Sequence, residues 1–326
     1  MQNKIKILIV RLSSLGDIIH TYPMIFDIKN NLPNASIDWL VDDSFKSLVA
    51  LNPHVDNIIP IPLRKWKKNK LKLLSNINVW KKEINNNTYD YIIDSQGLVK
   101  SALLSKCFNG KIYGLGIRSI REKIASLFYD KTFETGKELL AITKNRILAS
   151  YIFNYRIDLA SPNFGLNSYP SPEIELDLTK KYIIFFHATS KDSKKYPPNK
   201  WAELGTYLIE KENVSIVLPY GSLVEKNEAL SIQKLLNVKN VLVPERIFNY
   251  SELTGLVSNA SFVFGVDTGL IHLANALNKK LIAIYIDTDP KKTGIFESLV
   301  AKNIGGKNSM PEVEDLIKLY ESIEKA

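Results

Sequence analysis

The chain has 326 residues, too many for one ordinary domain and enough for two of roughly 150. Apolar residues make up 45% and charged residues 24%, which excludes general disorder. The net charge of +9 points to an anionic partner, and the lone cysteine, Cys107, excludes an intrachain disulfide and fits a reducing compartment.

The first apolar run, Ile5–Val10, reads as a strand. Arg11 ends it too early for a signal peptide, and no later stretch approaches the ~18 apolar residues that span a bilayer. A soluble or peripheral protein is expected. The strand leads into Ser13-Ser14-Leu15-Gly16-Asp17 and a helix over Ile18–Asn30. Glycine admits close backbone approach and the serines suit a cap, but no GxGxxG is present, which argues against a dinucleotide-binding dehydrogenase. Asp17 reads two ways, as an acid compensating the helix dipole or as a general base.

Strands are expected at Ser36–Val41, Tyr91–Ile93 and Lys111–Gly114, with a helix over Lys100–Cys107. "LRKWKKNKLK" gathers Arg64, Lys65, Lys67, Lys68, Lys70 and Lys72 around Trp66, either a solvated basic face or a site for an anion. No zinc-finger, RNP or long basic-helix pattern accompanies it, so a nucleic-acid partner is not expected. Residues 158–178 lose periodicity and carry Pro162, Pro170 and Pro172, a linker.

Alternation then restarts with strands Tyr182–Phe186, Val214–Pro219, Val241–Val243, Phe262–Val266 and Leu281–Ile286. Helices are expected over Trp201–Glu210, Leu223–Leu235, Ser251–Asn259, Gly269–Leu277 and Pro311–Lys325. The pattern predicts an α/β protein of two doubly wound, Rossmann-like domains facing each other across a cleft, with ligands at the carboxyl ends of the strands. After the strand Tyr182–Phe186, Thr189, Ser190 and Lys194 offer two hydroxyls and a cation, groups that suit a phosphate and equally an ordinary polar loop. In "VDTGLIHLANAL" Asp267 ends a strand, Thr268 and Gly269 turn the chain, and a helix starts at once, a ready anion site with His272 in the first turn. "DTDP" at 287–290 resembles a metal-holding Asp-x-Asp pair but reads as a polar turn. The histidines, at 20, 54, 187 and 272, have no zinc spacing, so no metal is expected.

Eight segments in order, "SSLGDIIHTYP", "DWLVDD", "IPIPLRKWKK", "YDYIIDSQGLVKSA", "REKIASLFYDK", "FFHATSKDSKKYPPNKW", "LPYGS" and "VDTGLIHLANAL", resemble the heptosyltransferases of lipopolysaccharide core synthesis, inverting glycosyltransferases of the GT-B fold. "DSQGLVKSA" with "RKWKK" resembles the branch that acts on Kdo more than the branch that acts on heptose. The resemblance implies an acceptor-binding domain over 1–165, a nucleotide-sugar domain over 170–307, and a final helix, 308–326, that packs back on the first. It implies Asp17 as the base. It places Thr189, Ser190, Lys194, Glu225, Asp267, Thr268, Gly269 and His272 on the donor, and Arg64, Lys67, Lys68 and Arg121 on the acceptor.

The donor so implied is ADP-L-glycero-D-manno-heptose and the acceptor the first Kdo of Kdo2-lipid A. No cofactor or metal is implied, and the location is cytoplasmic, peripheral on the inner-membrane surface. Other readings are an enzyme adding heptose to heptose, or a non-catalytic protein that binds nucleotide sugar or lipid A. The chain departs from the family at Ser190, where threonine is common, at Tyr285-Ile286 and in the segment 291–300.

Overall fold

A computed structural model describes residues 4–66, 73–84, 88–136, 138–166, 169–170 and 172–325. The chain divides into two compact units, Met1–Leu166 and Asn167–Ala326. Lys67 and Lys68 lie outside the described residues.

The first unit is built on six parallel strands: β1 (Lys6–Val10), β2 (Ser36–Asp42), β3 (Asn57–Ile61), β4 (Thr88–Asp94), β5 (Asn109–Leu115) and β6 (Lys131–Phe133). Their order is β3-β2-β1-β4-β5-β6, so β1 is the strand from which the winding reverses. In register, Val10 lies beside Leu40 of β2 and Asp94 of β4. Ile7 to Val10 are fully buried, as a parallel strand covered on both faces requires.

The single helix expected over Ile18–Asn30 is two, Leu15–Ile19 and Tyr22–Asn31. Pro23 explains the break, because it lacks the N–H that a continuing helix needs and suits the first turn of a new one.

The second unit repeats the plan with β7 (Tyr182–Phe186), β8 (Ser215–Val217), β9 (Val241–Leu242), β10 (Phe262–Val266), β11 (Leu281–Tyr285) and β12 (Ala301–Gly305). The order is β12-β11-β10-β7-β8-β9, again all parallel. All residues of β7, β10 and β11 are buried, and Phe185 packs against Trp201 and Phe264.

The last helix, Val313–Glu324, lies in the second unit. Its buried face, Val313, Leu316, Tyr320 and Ile323, belongs to the core of the second unit, with the Tyr320 ring 4.9 Å from that of Phe262. Four apolar residues on one stripe find their partners in the nearest sheet, so the helix completes its own domain.

Candidate active site

In a doubly wound sheet the crevice for ligands opens where the strand order reverses, at the carboxyl ends of the two strands concerned. In the first unit these are β1 and β4. Beyond β1 the chain runs through Arg11, Leu12 and a cis Ser13–Ser14 peptide into the helix Leu15–Ile19. Asp17, on its first turn, accepts from both the backbone N–H and the hydroxyl of Ser14, each at 3.0 Å. Burial acts to raise the Asp17 pKa. The Arg11 guanidinium and the Ser14 donors outweigh it and hold the carboxyl below the ordinary carboxylate value.

Arg11 was not singled out from the sequence, yet it organises this turn. Its side chain is buried and donates to the Ser95 hydroxyl at 3.2 Å, to the Ser95 carbonyl, and to Asn145 Oδ1 at 3.3 Å. Burial lowers its pKa, while Asp17 and then Asp94 act to raise it. Asp94, at the end of β4, is a buried carboxylate that accepts from the N–H groups of Gln96 and Gly97, the Ser101 hydroxyl and the Tyr129 hydroxyl, at 2.8 to 3.1 Å. Burial nonetheless keeps its pKa above the ordinary value. Four donors on one carboxylate fix the loop 95–98 rather than present an acid to solvent.

Arg121 is exposed and close enough to Arg11 to act on its charge. It is held there by the loop after β4. Glu122 N–H donates to the Gly97 carbonyl at 3.1 Å, and Val99 N–H to the Glu122 carboxylate at 2.7 Å. Arg64 follows edge strand β3, two strands from β1, roughly 10 Å along the sheet. Its guanidinium stacks 4.6 Å from the Phe45 ring centroid and 3.9 Å from Asp42. Asp17 and Arg121 thus share one crevice, whereas Arg64 flanks it.

In the second unit the winding reverses between β7 and β10. The turn after β7 carries Thr189, Ser190 and Lys194, and the turn after β10 carries Asp267, Thr268 and Gly269. Thr189 donates its hydroxyl to the Asp267 carbonyl at 2.9 Å. The Lys194 ammonium lies 2.6 Å from the Asp267 carboxylate, which also accepts from the Thr288 hydroxyl at 2.7 Å. Thr268 holds the N-cap position of the helix Gly269–Ala276 without a side-chain capping bond, and the helix's first N–H groups lack intrahelical acceptors and carry partial positive charge. His272 is buried in that helix and Ser190 is exposed on its bend.

Glu225 follows strand β8, on the helix Leu223–Leu236 that Ser222 caps. Its carboxylate accepts from Gly221 N–H at 2.7 Å, and its carbonyl lies 3.1 Å from His187 Nε2. Burial lowers the His187 pKa, so the ring stays neutral. The "DTDP" segment is a polar turn tied into the same cluster. Asp287 accepts from Ser193, Thr288 bonds Asp267, and Asp289 caps the short helix Pro290–Thr293. Among the described residues no group of three or more His, Cys, Asp or Glu could hold a metal ion. No helix among them is long and apolar enough to cross a membrane.

Two parallel doubly wound domains, one with a buried carboxylate at its switch point and the other with a lysine, hydroxyls and a helix N-terminus, define a glycosyltransferase of the GT-B class. Residues 78–320 match glycosyltransferase family 9 (heptosyltransferase). Lipopolysaccharide heptosyltransferase 1 of Pseudomonas aeruginosa is 32% identical over 296 residues, 89% of this chain and 81% of that protein. The solved E. coli heptosyltransferase WaaC with ADP matches with a TM-score of 0.88 and 27% identity, covering 99% of this chain and 100% of that one. The same enzyme with ADP-2-deoxy-2-fluoro heptose gives a TM-score of 0.85, again at 27% identity and 99% and 100% coverage. The chain belongs to glycosyltransferase family 9, the heptosyltransferases.

Proposed function

We propose that the chain transfers L-glycero-D-manno-heptose from ADP-heptose to the first Kdo of Kdo2-lipid A, with inversion and without a metal, at the cytoplasmic face of the inner membrane. The observation that carries this reading is the cluster of Lys194, Asp267, Thr189 and the Gly269 helix start at one switch point. The likeness to an enzyme solved with an ADP-heptose analogue supports a sugar diphosphate there. The acceptor assignment draws on the 32% identity to a lipopolysaccharide heptosyltransferase 1 and on the exposed Arg64 and Arg121, suited to phosphates and carboxylates.

Asp17 removes the proton from the acceptor hydroxyl as its oxygen bonds to the anomeric carbon. The bond from that carbon to the diphosphate oxygen breaks, and its electron pair leaves with ADP. Lys194, turned from Asp267 toward the diphosphate, and the N–H groups at the Gly269 helix start stabilise the departing charge. Glu225 offers its carboxylate to the ribose hydroxyls. A single displacement inverts the centre and needs one base, with no second carboxylate as nucleophile.

The purified protein, given ADP-heptose and either Kdo2-lipid A or its mono-heptosylated form, should add one heptose to the first, seen by mass spectrometry. Turnover only on the mono-heptosylated acceptor would assign the chain to the heptose-adding branch. Binding of ADP-heptose without turnover on either would make it a binding protein.

A further inference from the structure

The segment that carries Arg121 continues into a feature that glycosyl transfer does not use. Lys123–Phe128 forms a six-residue 3-10 helix. In that geometry side chains three apart eclipse, so Ile124 and Leu127 stand one above the other on a single face. They are 63% and 78% exposed, while Ala125 between them is fully buried. Isolated exposed leucines are commonplace, but this pair is held in place. Ala125 N–H bonds the Glu122 carbonyl at 2.9 Å, Ser126 Oγ the Lys123 carbonyl at 2.7 Å, and the Tyr129 hydroxyl reaches Asp94 at 2.8 Å. The turn is therefore anchored to the acceptor-side crevice and presents two aliphatic side chains outward on a rigid mount. Exposed Arg118, Arg121, Lys123 and Lys131 lie close to them in the chain and outnumber exposed Glu122 and Asp130 by two charges.

Apolar side chains flanked by an excess of cations complement an anionic bilayer: aliphatic groups enter the acyl boundary while guanidinium and ammonium groups meet the headgroup phosphates. We propose that the 3-10 turn Lys123–Phe128 is a membrane wedge, with Ile124 and Leu127 inserting into an anionic lipid surface beside Arg121. This rests on the reading that the acceptor is embedded in lipid, and it names the residues that seat the enzyme there.

The test uses vesicles of phosphatidylethanolamine and phosphatidylglycerol with no acceptor present, so its outcome does not depend on heptose transfer. The full chain should co-sediment with them. A double variant, Ile124→Ser with Leu127→Ser, should partition at least about tenfold more weakly while keeping its thermal melt and its turnover on a de-acylated acceptor. Leu127→Phe, which keeps apolar bulk, should bind as wild type does. The wedge is overturned if wild type ignores the vesicles or if the double variant binds them equally well, leaving charge alone to hold the protein. It is equally overturned if the double substitution turns a dimer into a monomer in sedimentation velocity, since the face would then belong to a second copy.

Discussion

Lys194 donates to Asp267 across the β7/β10 switch point at 2.6 Å, with side-chain exposures of 17% and 10%. The ammonium is parked on a carboxylate beside the Gly269 helix start, where a diphosphate oxygen can replace it as partner. Lys194→Ala should lower kcat about 100- to 1,000-fold, as removal of one preorganised charge from a leaving-group site does. Asp267→Asn should instead raise the donor KM and cost roughly 1.5–3 kcal/mol of stability, since a hydrogen bond to a charged group is lost. Steady-state kinetics and thermal melts on both variants separate the roles. Equal effects on kcat from both would contradict them.

Asp17 governs the expected pH dependence. Its pKa lies below the ordinary carboxylate value, so it is ionised through the neutral range. The pH–rate profile should stay flat as pH falls from 8 to about 5, with the acid limb below roughly 3.9. The stabilisation tied to this depressed carboxyl is present above that value and lost as pH falls through the folded pKa. Asp17→Asn should cost about 100- to 10,000-fold in kcat.

Arg11→Gln should move that limb upward. Burial, the largest single influence on Asp17, raises a carboxyl pKa, and with the guanidinium gone only the Ser14 donors and His20 oppose it. The acid limb of the profile is expected at higher pH than in wild type. A variant that lost activity uniformly at all pH values would show Arg11 to be structural only.

How much of this was legible beforehand follows from what periodicity can see. β7 and β10 are found residue for residue, because a run of four or five apolar residues rich in β-branched and aromatic side chains between turn formers reads as a strand. β3 and β12 escape, the first because Pro60 interrupts an edge strand and the second because "AKNIG" is only half-buried. The helix Ala141–Phe153 escapes for a different reason: its buried face includes Asn145, Arg146 and Ser150, which blur the apolar stripe. The strand-end turns with Asp17, Lys194 and Asp267 were visible as residue types at switch points. Arg11 and Asn145 were not, since a buried polar group satisfied by partners 84 or 134 residues away leaves no local pattern. Only the sheet order that sets β1 beside β4 reveals them.

Gly97 ties the loop after β4 to the 120–122 segment, its carbonyl accepting from Glu122 N–H at 3.1 Å. It has φ +68°, and a Cβ there would sit 2.8 Å from Ile120 Cγ1, beside Arg121. Gly97→Ala should cost about 1–2 kcal/mol in backbone strain and push the 120–122 segment away. The acceptor KM should rise with the donor KM unchanged, because the second domain is untouched. A parallel rise in both would show that the loop serves folding alone.

Asn145 offers the most discriminating case. Its Oδ1 accepts from Arg11, and its Nδ2 donates to the His20 carbonyl at 3.2 Å and to Thr21 Oγ1 at 3.4 Å. Thr21 in turn donates to the Asp17 carbonyl at 2.9 Å. One buried amide therefore joins the Arg11 side chain to the helix that bears Asp17. Asn145→Ala leaves those groups short of a partner and should destabilise the protein by about 1–3 kcal/mol, a fall of several degrees in Tm. If Asn145 acts through Asp17, kcat should also drop in the wild-type background but not further in Asp17→Asn, a double-mutant cycle with large coupling. Additive losses in the two backgrounds would sever the link between the amide and the base.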